Sequence, residues 1–161
     1  MIYSNSDVRR SDRLLEEESA VSLLDTGEYG VLSMYSEATG VYGIPLNYVW
    51  DGEESIYIHC SPDGLKLQCI DDNNSVSFCV VGETSVIPDK FTAEYESIIL
   101  ECKAYRHLDK EERMNALGLF LGKYSPQDKE IGMKYAEKSF NRTEIIRLDI
   151  MTWSGKSKGL N

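Results

Sequence analysis

The stretch Ile56-Tyr57-Ile58-His59-Cys60-Ser61-Pro62-Asp63-Gly64-Leu65-Lys66-Leu67 concentrates the side chains of this sequence that could do chemistry. In an extended chain Tyr57, His59 and Ser61 share one face, while Ile56, Ile58 and Cys60 share the other. The polar face leads straight into a helix start. There the unpaired N–H groups of a first turn, the Ser61 hydroxyl and the Lys66 ammonium would make a compact anion site suited to a phosphate monoester. An ordinary strand-to-helix junction with a solvated lysine has the same pattern, and taken locally it is the commoner outcome. His59 is equally compatible with a hydrogen-bonded packing role and with work on a ligand.

Two further stretches qualify. In Gly43-Ile44-Pro45-Leu46-Asn47-Tyr48-Val49-Trp50, Pro45 suits a strand start or edge, where no ladder donor is required. Asn47 could donate to and accept from a heterocycle that carries carbonyl and ring-nitrogen groups, although an edge amide facing water is more usual. Trp153-Ser154-Gly155-Lys156 follows the last expected strand, where an aromatic and a lysine could cover a ligand or form a polar tail.

Several classes of chemistry lack sequence support. There is no Gly-x-Ser-x-Gly elbow, Gly-x-Gly-x-x-Gly turn or Walker loop. The histidines, His59 and His107, are far apart, and Cys60, Cys69, Cys79 and Cys102 contain no Cys-x-x-Cys pair, so no metal site is expected. The cysteines read as reduced core residues. A formal net charge of −10 opposes binding to phosphate backbones, so no nucleic-acid partner is expected. No apolar run reaches the roughly 20 residues of a membrane span, and the first ten residues lack a secretory leader's apolar stretch. The expectation is a cytoplasmic protein.

The elements that must position these residues follow from periodicity. Over 161 residues, 42% hydrophobic and 27% charged, a single domain spanning 1–161 is expected. Ser11 or Asp12 could cap a first helix through Leu14, Leu15, Val21 and Leu24, ending near Gly27, with Glu16-Glu17-Glu18 facing water. The period then changes to two, predicting strands over 29–35, 41–50 and 55–60, with a turn at Asp51-Gly52. A short helix over 63–72 and strands over 75–81 and 97–105 follow. Asp109 and Glu112 form a capping signal for a helix through Met114, Leu117, Leu121 and Tyr124, Ser125-Pro126 breaks it, and a second helix runs over 127–138. A last strand covers 143–150. Six short strands with interposed helices, joined early by connections too short for crossovers, suit a mainly β, antiparallel barrel with helices packed outside.

In their order along the chain, Tyr29-Gly30-Val31-Leu32-Ser33, Pro45-Leu46-Asn47-Tyr48, His59-Cys60-Ser61-Pro62-Asp63-Gly64-Leu65-Lys66-Leu67, Tyr95-Glu96-Ser97-Ile98-Ile99 and Trp153-Ser154-Gly155-Lys156 form a set. The set resembles the pyridoxamine-phosphate-oxidase-like family, in particular its nitroimidazole-resistance branch, over nearly the whole chain. The resemblance implies a six-stranded antiparallel split β-barrel that works as a homodimer and holds FMN in clefts at the subunit interface. It assigns the phosphate to Ser61 and Lys66, with Cys60 and Gly64 in the same loop. Val31, Leu32, Ser33, Pro45, Asn47 and Tyr48 go to the isoalloxazine and ribityl chain, and His59 sits beside the flavin as the catalytic candidate. Trp153 and Lys156 would approach from the partner subunit. The implied function is transfer of electrons from NAD(P)H to a small organic acceptor such as a nitroaromatic. A flavin sensor or store with little turnover, or a barrel holding haem or a deazaflavin, are the alternatives. The chain departs from the family in having Leu65 and Asp71-Asp72 where relatives often carry basic residues, which implies weaker phosphate affinity. It also lacks the Arg-x-x-Leu-Leu-Lys element of true pyridoxamine-phosphate oxidases.

Overall fold

A computed structural model describes residues 1–159. In chain order the elements are β1 (Ile2–Tyr3), α1 (Glu17–Thr26), β2 (Tyr29–Ser36), β3 (Gly40–Asn47), β4 (Val49–Trp50), β5 (Ser55–Cys60), α2 (Leu65–Asp72), β6 (Ser75–Ile87), β7 (Thr92–Tyr105), α3 (Lys110–Tyr124), α4 (Lys129–Ser139) and β8 (Glu144–Lys158). The strands form one sheet in the order β3-β2-β6-β7-β8-β5-β4, antiparallel throughout, with β1 added parallel to β8. The sheet curls until β3 and β5, near its two ends, approach each other. Among the described residues no helix is long and apolar enough to cross a membrane.

Period-two patterning explains the curl. Leu32, Phe78, Val80, Ile98, Leu100, Ile56, Ile58, Ile146 and Leu148 point inward and are buried, together with Leu23 and Leu24 of α1 and Leu67 and Ile70 of α2, which close the core. Each such side chain contributes about 1.5–3 kcal/mol relative to exposure. Gly30 shows how tightly the strands pack: a Cβ there would lie 2.4 Å from Phe78 Cε1 and 2.7 Å from the Cys79 carbonyl oxygen.

Four expectations need correction. Residues 11–13 form only a 3-10 turn, and α1 starts at Glu17 without a side-chain cap. Leu14 and Leu15 are drawn instead to β8, Leu14 bridging Lys156 and the Leu15 N–H donating to the Gly155 carbonyl at 3.1 Å. The strand expected over 41–50 is divided at Tyr48, whose hydroxyl turns inward and donates to the Leu24 carbonyl at 2.6 Å. β8 runs on to Lys158, so Trp153-Ser154-Gly155-Lys156 is sheet and not a tail beyond it. β6 and β7 extend past the rest of the sheet as a hairpin ending at Pro88–Lys90 and Phe91, which has φ +49°. The Asp109 cap forms as expected, its Oδ1 accepting from the Glu112 N–H at 2.9 Å.

Candidate functional site

On β2 the even-numbered residues face the core and Tyr29, Val31, Ser33 and Tyr35 face outward. Strand register carries that outward set across the sheet. Pro45, Val31, Cys79, Ile99 and Ser154 form one row over five strands, and Gly43, Ser33, Ser77, Glu101 and Thr152 form the next. Beside them Asn47 pairs with Tyr29, and Ser97 with both Val81 and Lys156. The surface consists mostly of small residues, apolar and hydroxylic, with Glu101 and Lys156 as its charges, and it is open to solvent: Tyr29, Val81 and Ile99 are 54%, 49% and 46% exposed. Two shallow clefts mark it, one of about 450 Å³ beside Ser97, Ile99, Ser154 and Lys156, the other of about 470 Å³ beside Ser33, Ser77 and Met151.

Val31, Ser33, Pro45, Asn47 and Lys156 are thus united on one face, although the Asn47 side chain already donates to the Glu28 carbonyl at 2.8 Å. Leu32 and Tyr48 are not on it with their side chains, both fully buried; only their backbone could meet a ligand there. Trp153 lines the cleft of about 450 Å³ but lies mostly inside the barrel. Its ring is 2% exposed and packs edge-to-face on Tyr3 at 4.8 Å, because its position in β8 alternates inward while Ser154 and Lys156 flank it on other positions.

Cys60, Ser61, Gly64 and Lys66 lie along the turn from β5 to α2. Gly64 is the N-cap with φ +141°, a conformation that favours glycine, and a Cβ there would meet nothing within 4 Å. Its carbonyl accepts from the N–H groups of Leu67 at 3.1 Å and Gln68 at 3.4 Å, while the earlier N–H groups of the turn have no intrahelical acceptor. Burial pushes the Cys60 thiol up, and the positive charges of Lys66 and Arg106 partly offset that shift, so two cations bear on this turn. Arg106 carries no motif in the sequence. It reaches the turn only because β7 ends beside α2, where its guanidinium pairs with Asp71 and is 10% exposed, with Nε unpartnered.

His59 points away from that turn, toward α3. Its ring packs edge-to-face on Phe120 at 4.7 Å, at the rim of an apolar cleft of about 430 Å³ between β5, α3 and α4. Partial burial there lowers its pKa below the ordinary value. On the same strand face Tyr57 Oη donates to Glu112 Oε1 at 3.1 Å, and Arg147 Nη1 donates to the same oxygen at 2.7 Å. The segregation of Tyr57 and His59 from Ile56 and Ile58 was therefore legible, but the helix hairpin that takes up the polar face was not. Among the described residues no cluster of three or more His, Cys, Asp or Glu side chains could hold a metal ion.

A model of a family described as pyridoxamine 5'-phosphate oxidase matches residues 16–157. No curated protein matches the chain by sequence. Among solved structures, the chain is similar to a protein put forward as a 5-nitroimidazole antibiotic resistance protein of Bacteroides thetaiotaomicron, at 16% identity and TM-score 0.75, covering 90% of this chain and 86% of that one. It is also similar to an FAD-binding protein of Mesorhizobium loti, at 18% identity and TM-score 0.68 over 91% and 98% of the two chains. An FAD- and haem-binding protein of Mycobacterium smegmatis resembles it at 19% identity and TM-score 0.64 over 91% and 74%. These likenesses establish the split-barrel fold.

Proposed function

This chain belongs to the pyridoxamine 5'-phosphate oxidase family, and from that premise we propose that it is an FMN-dependent oxidoreductase that passes electrons from NAD(P)H to a small organic acceptor such as a nitroaromatic. The observation that carries the reading is the open outer face of β2 and β3, where Val31, Ser33, Pro45 and Asn47 lie side by side. The residues present fit a flavin mononucleotide. The face is flat and nearly free of bulk, a Cβ at Gly43 coming no closer than 3.8 Å to Val31 and 4.0 Å to Ser33, which suits a planar ring. The open glycine-capped start of α2, with Lys66 on it and Arg106 close by, suits a phosphate.

On this reading Lys66, Ser61 and the first N–H groups of α2 hold the phosphate, and Val31, Ser33 and Asn47 orient the ring. Bound there, the flavin would supply two-electron transfer between a nicotinamide and an acceptor. The half-exposed Tyr29, Val81 and Ile99 would be covered by a second copy of the chain, which would exclude water from the ring's edge.

A second reading is favoured by His59. An imidazole at a cleft rim, its pKa lowered by burial, is also suited to ligate haem, and proteins similar in fold include a flavocytochrome from Azotobacter vinelandii and a haem storage protein from Vibrio cholerae. One absorbance spectrum of the purified protein separates the two. A flavin spectrum bleached by NADH or NADPH and restored by a nitro compound supports the proposal. A flavin that bleaches only with dithionite indicates a binding module, and a Soret band indicates haem. Light scattering at about twice 18.2 kDa supports the dimer, and a monomer that retains flavin overturns the shared cleft.

A further inference from the structure

Lys123, in the last turn of α3, is withdrawn from water with no hydrogen-bond partner for its Nζ. The ammonium lies 4.2 Å from the centre of the Tyr48 ring and 5.5 Å from that of Tyr124. Ring faces attract a cation, but they do not satisfy its three N–H donors. A buried cation left so is costly unless something else partners it. Lys123 lines a cleft of about 830 Å³ between α1, β4, α3 and α4. That is the range of small-molecule sites. None of the residues lining the cleft is among those assigned to the flavin, although Val49 and Trp50 directly follow Tyr48.

Its walls restrict what could enter. Trp50 of β4 and the thioethers of Met114 and Met133 supply apolar surface for a planar body. Gly118 and Gly122, one turn apart on α3, keep the wall open: a Cβ at Gly118 would lie 3.9 Å from Met133 Sδ, and one at Gly122 would lie 3.9 Å from Lys129 Nζ. Lys129 therefore brings a second cation to the cleft. Asp25 lines the same cleft, its negative charge acting on Lys123. Two cations and one carboxylate leave the cleft a net charge of +1, which a single carboxylate of a ligand neutralises.

We propose that this cleft is a binding site for a small organic monocarboxylate with a planar apolar body, its carboxylate received by Lys123 and Lys129 and its body laid against Trp50. Of the two tryptophans, Trp50 lines the cleft and Trp153 is buried in the barrel, so quenching of Trp50 reports occupancy. The probes are benzoate and benzamide, alike in shape and different in charge. Benzoate is expected to quench saturably and to bind about tenfold to hundredfold more tightly than benzamide, the range for one hydrogen bond to a charged group. Lys123→Met keeps the apolar stem and is expected to abolish that preference, and Trp50→Phe to remove the signal. Asp25→Asn, at an exposed position, is expected to increase the preference for benzoate. If Lys123→Met fails to fold, Asp25→Asn carries the test. Absence of saturable quenching, equal affinity for the two probes, an undiminished preference in folded Lys123→Met, or an unchanged preference in Asp25→Asn would each overturn the site.

Discussion

The His59 imidazole meets the Phe120 ring edge-to-face, with centroids 4.7 Å apart and planes inclined at 83°. Burial in that contact lowers the pKa of the folded state below the ordinary 6.5. The unfolded chain therefore takes up a proton first as pH falls, and the unfolded state is favoured. His59 should contribute stability that is complete above pH 6.5 and is lost as pH falls from there toward the depressed folded value. Urea unfolding at pH 7.5, 6.5 and 5.5 checks this. His59→Gln should lose less stability over that interval than the parent protein, and parallel losses would show that the ring is not desolvated.

Tyr124 ties the end of α3 to the barrel. Its hydroxyl lies 2.6 Å from the Glu28 carbonyl oxygen and 2.7 Å from that of Tyr48, sharing one proton between them, and accepts from the Tyr48 N–H at 3.3 Å. Tyr124→Phe removes the hydroxyl while keeping the ring stacked on Phe120. The expected loss is about 1–2 kcal/mol, because these backbone groups are only partly accessible to replacement water. Denaturant midpoints measure it. No loss would mean that water takes over all three contacts.

Two glycines on neighbouring strands should differ sharply in their response to a methyl group. Gly30→Ala would drive a methyl to within 2.4 Å of Phe78 and 2.7 Å of backbone, so a loss of about 3 kcal/mol is expected. Gly43→Ala meets only ordinary contacts at 3.8 Å and 4.0 Å and should change stability by less than about 0.5 kcal/mol. Since Gly43 lies on the proposed ring face, the same variant should nevertheless weaken FMN. Paired melting and flavin titration test both arms, and a stable Gly30→Ala protein would show that Phe78 can yield.

The contrast between these glycines also shows what the sequence can reveal. Alternation in 29–35 and 55–60 identified strands and their two faces because a period of two is local. Asp109 identified its helix for the same reason. Long-range choices were hidden. Whether Leu14-Leu15 would continue a helix or join β8, and whether Trp153 would face in or out, depends on register with strands far away along the chain. Of the candidate site, the order of the motifs was legible; Arg106 was not, since only the end of β7 beside α2 gives it a role.

Lys66 provides the sharpest test of the proposed function. A phosphate monoester is nearly dianionic at neutral pH, and the chain's formal charge of −10 sets an unfavourable background field. The start of α2 must therefore supply local compensation. Arg106 is largely neutralised by its pairing with Asp71, which leaves Lys66 as the principal cation of the β5-to-α2 turn. A hydrogen bond to a charged group contributes about 1.5–3 kcal/mol, or roughly tenfold to hundredfold in affinity. Lys66→Ala should weaken FMN by that factor and riboflavin far less, because riboflavin has no phosphate. Raising salt should erode the difference in the parent protein and leave the variant almost unchanged, since Lys66 is only partly buried and its field is open to screening. Titration of both ligands into apo protein reads these outcomes directly. Equal losses for the two ligands would place Lys66 in the fold or at the ring, and no loss for either would return it to the solvated surface.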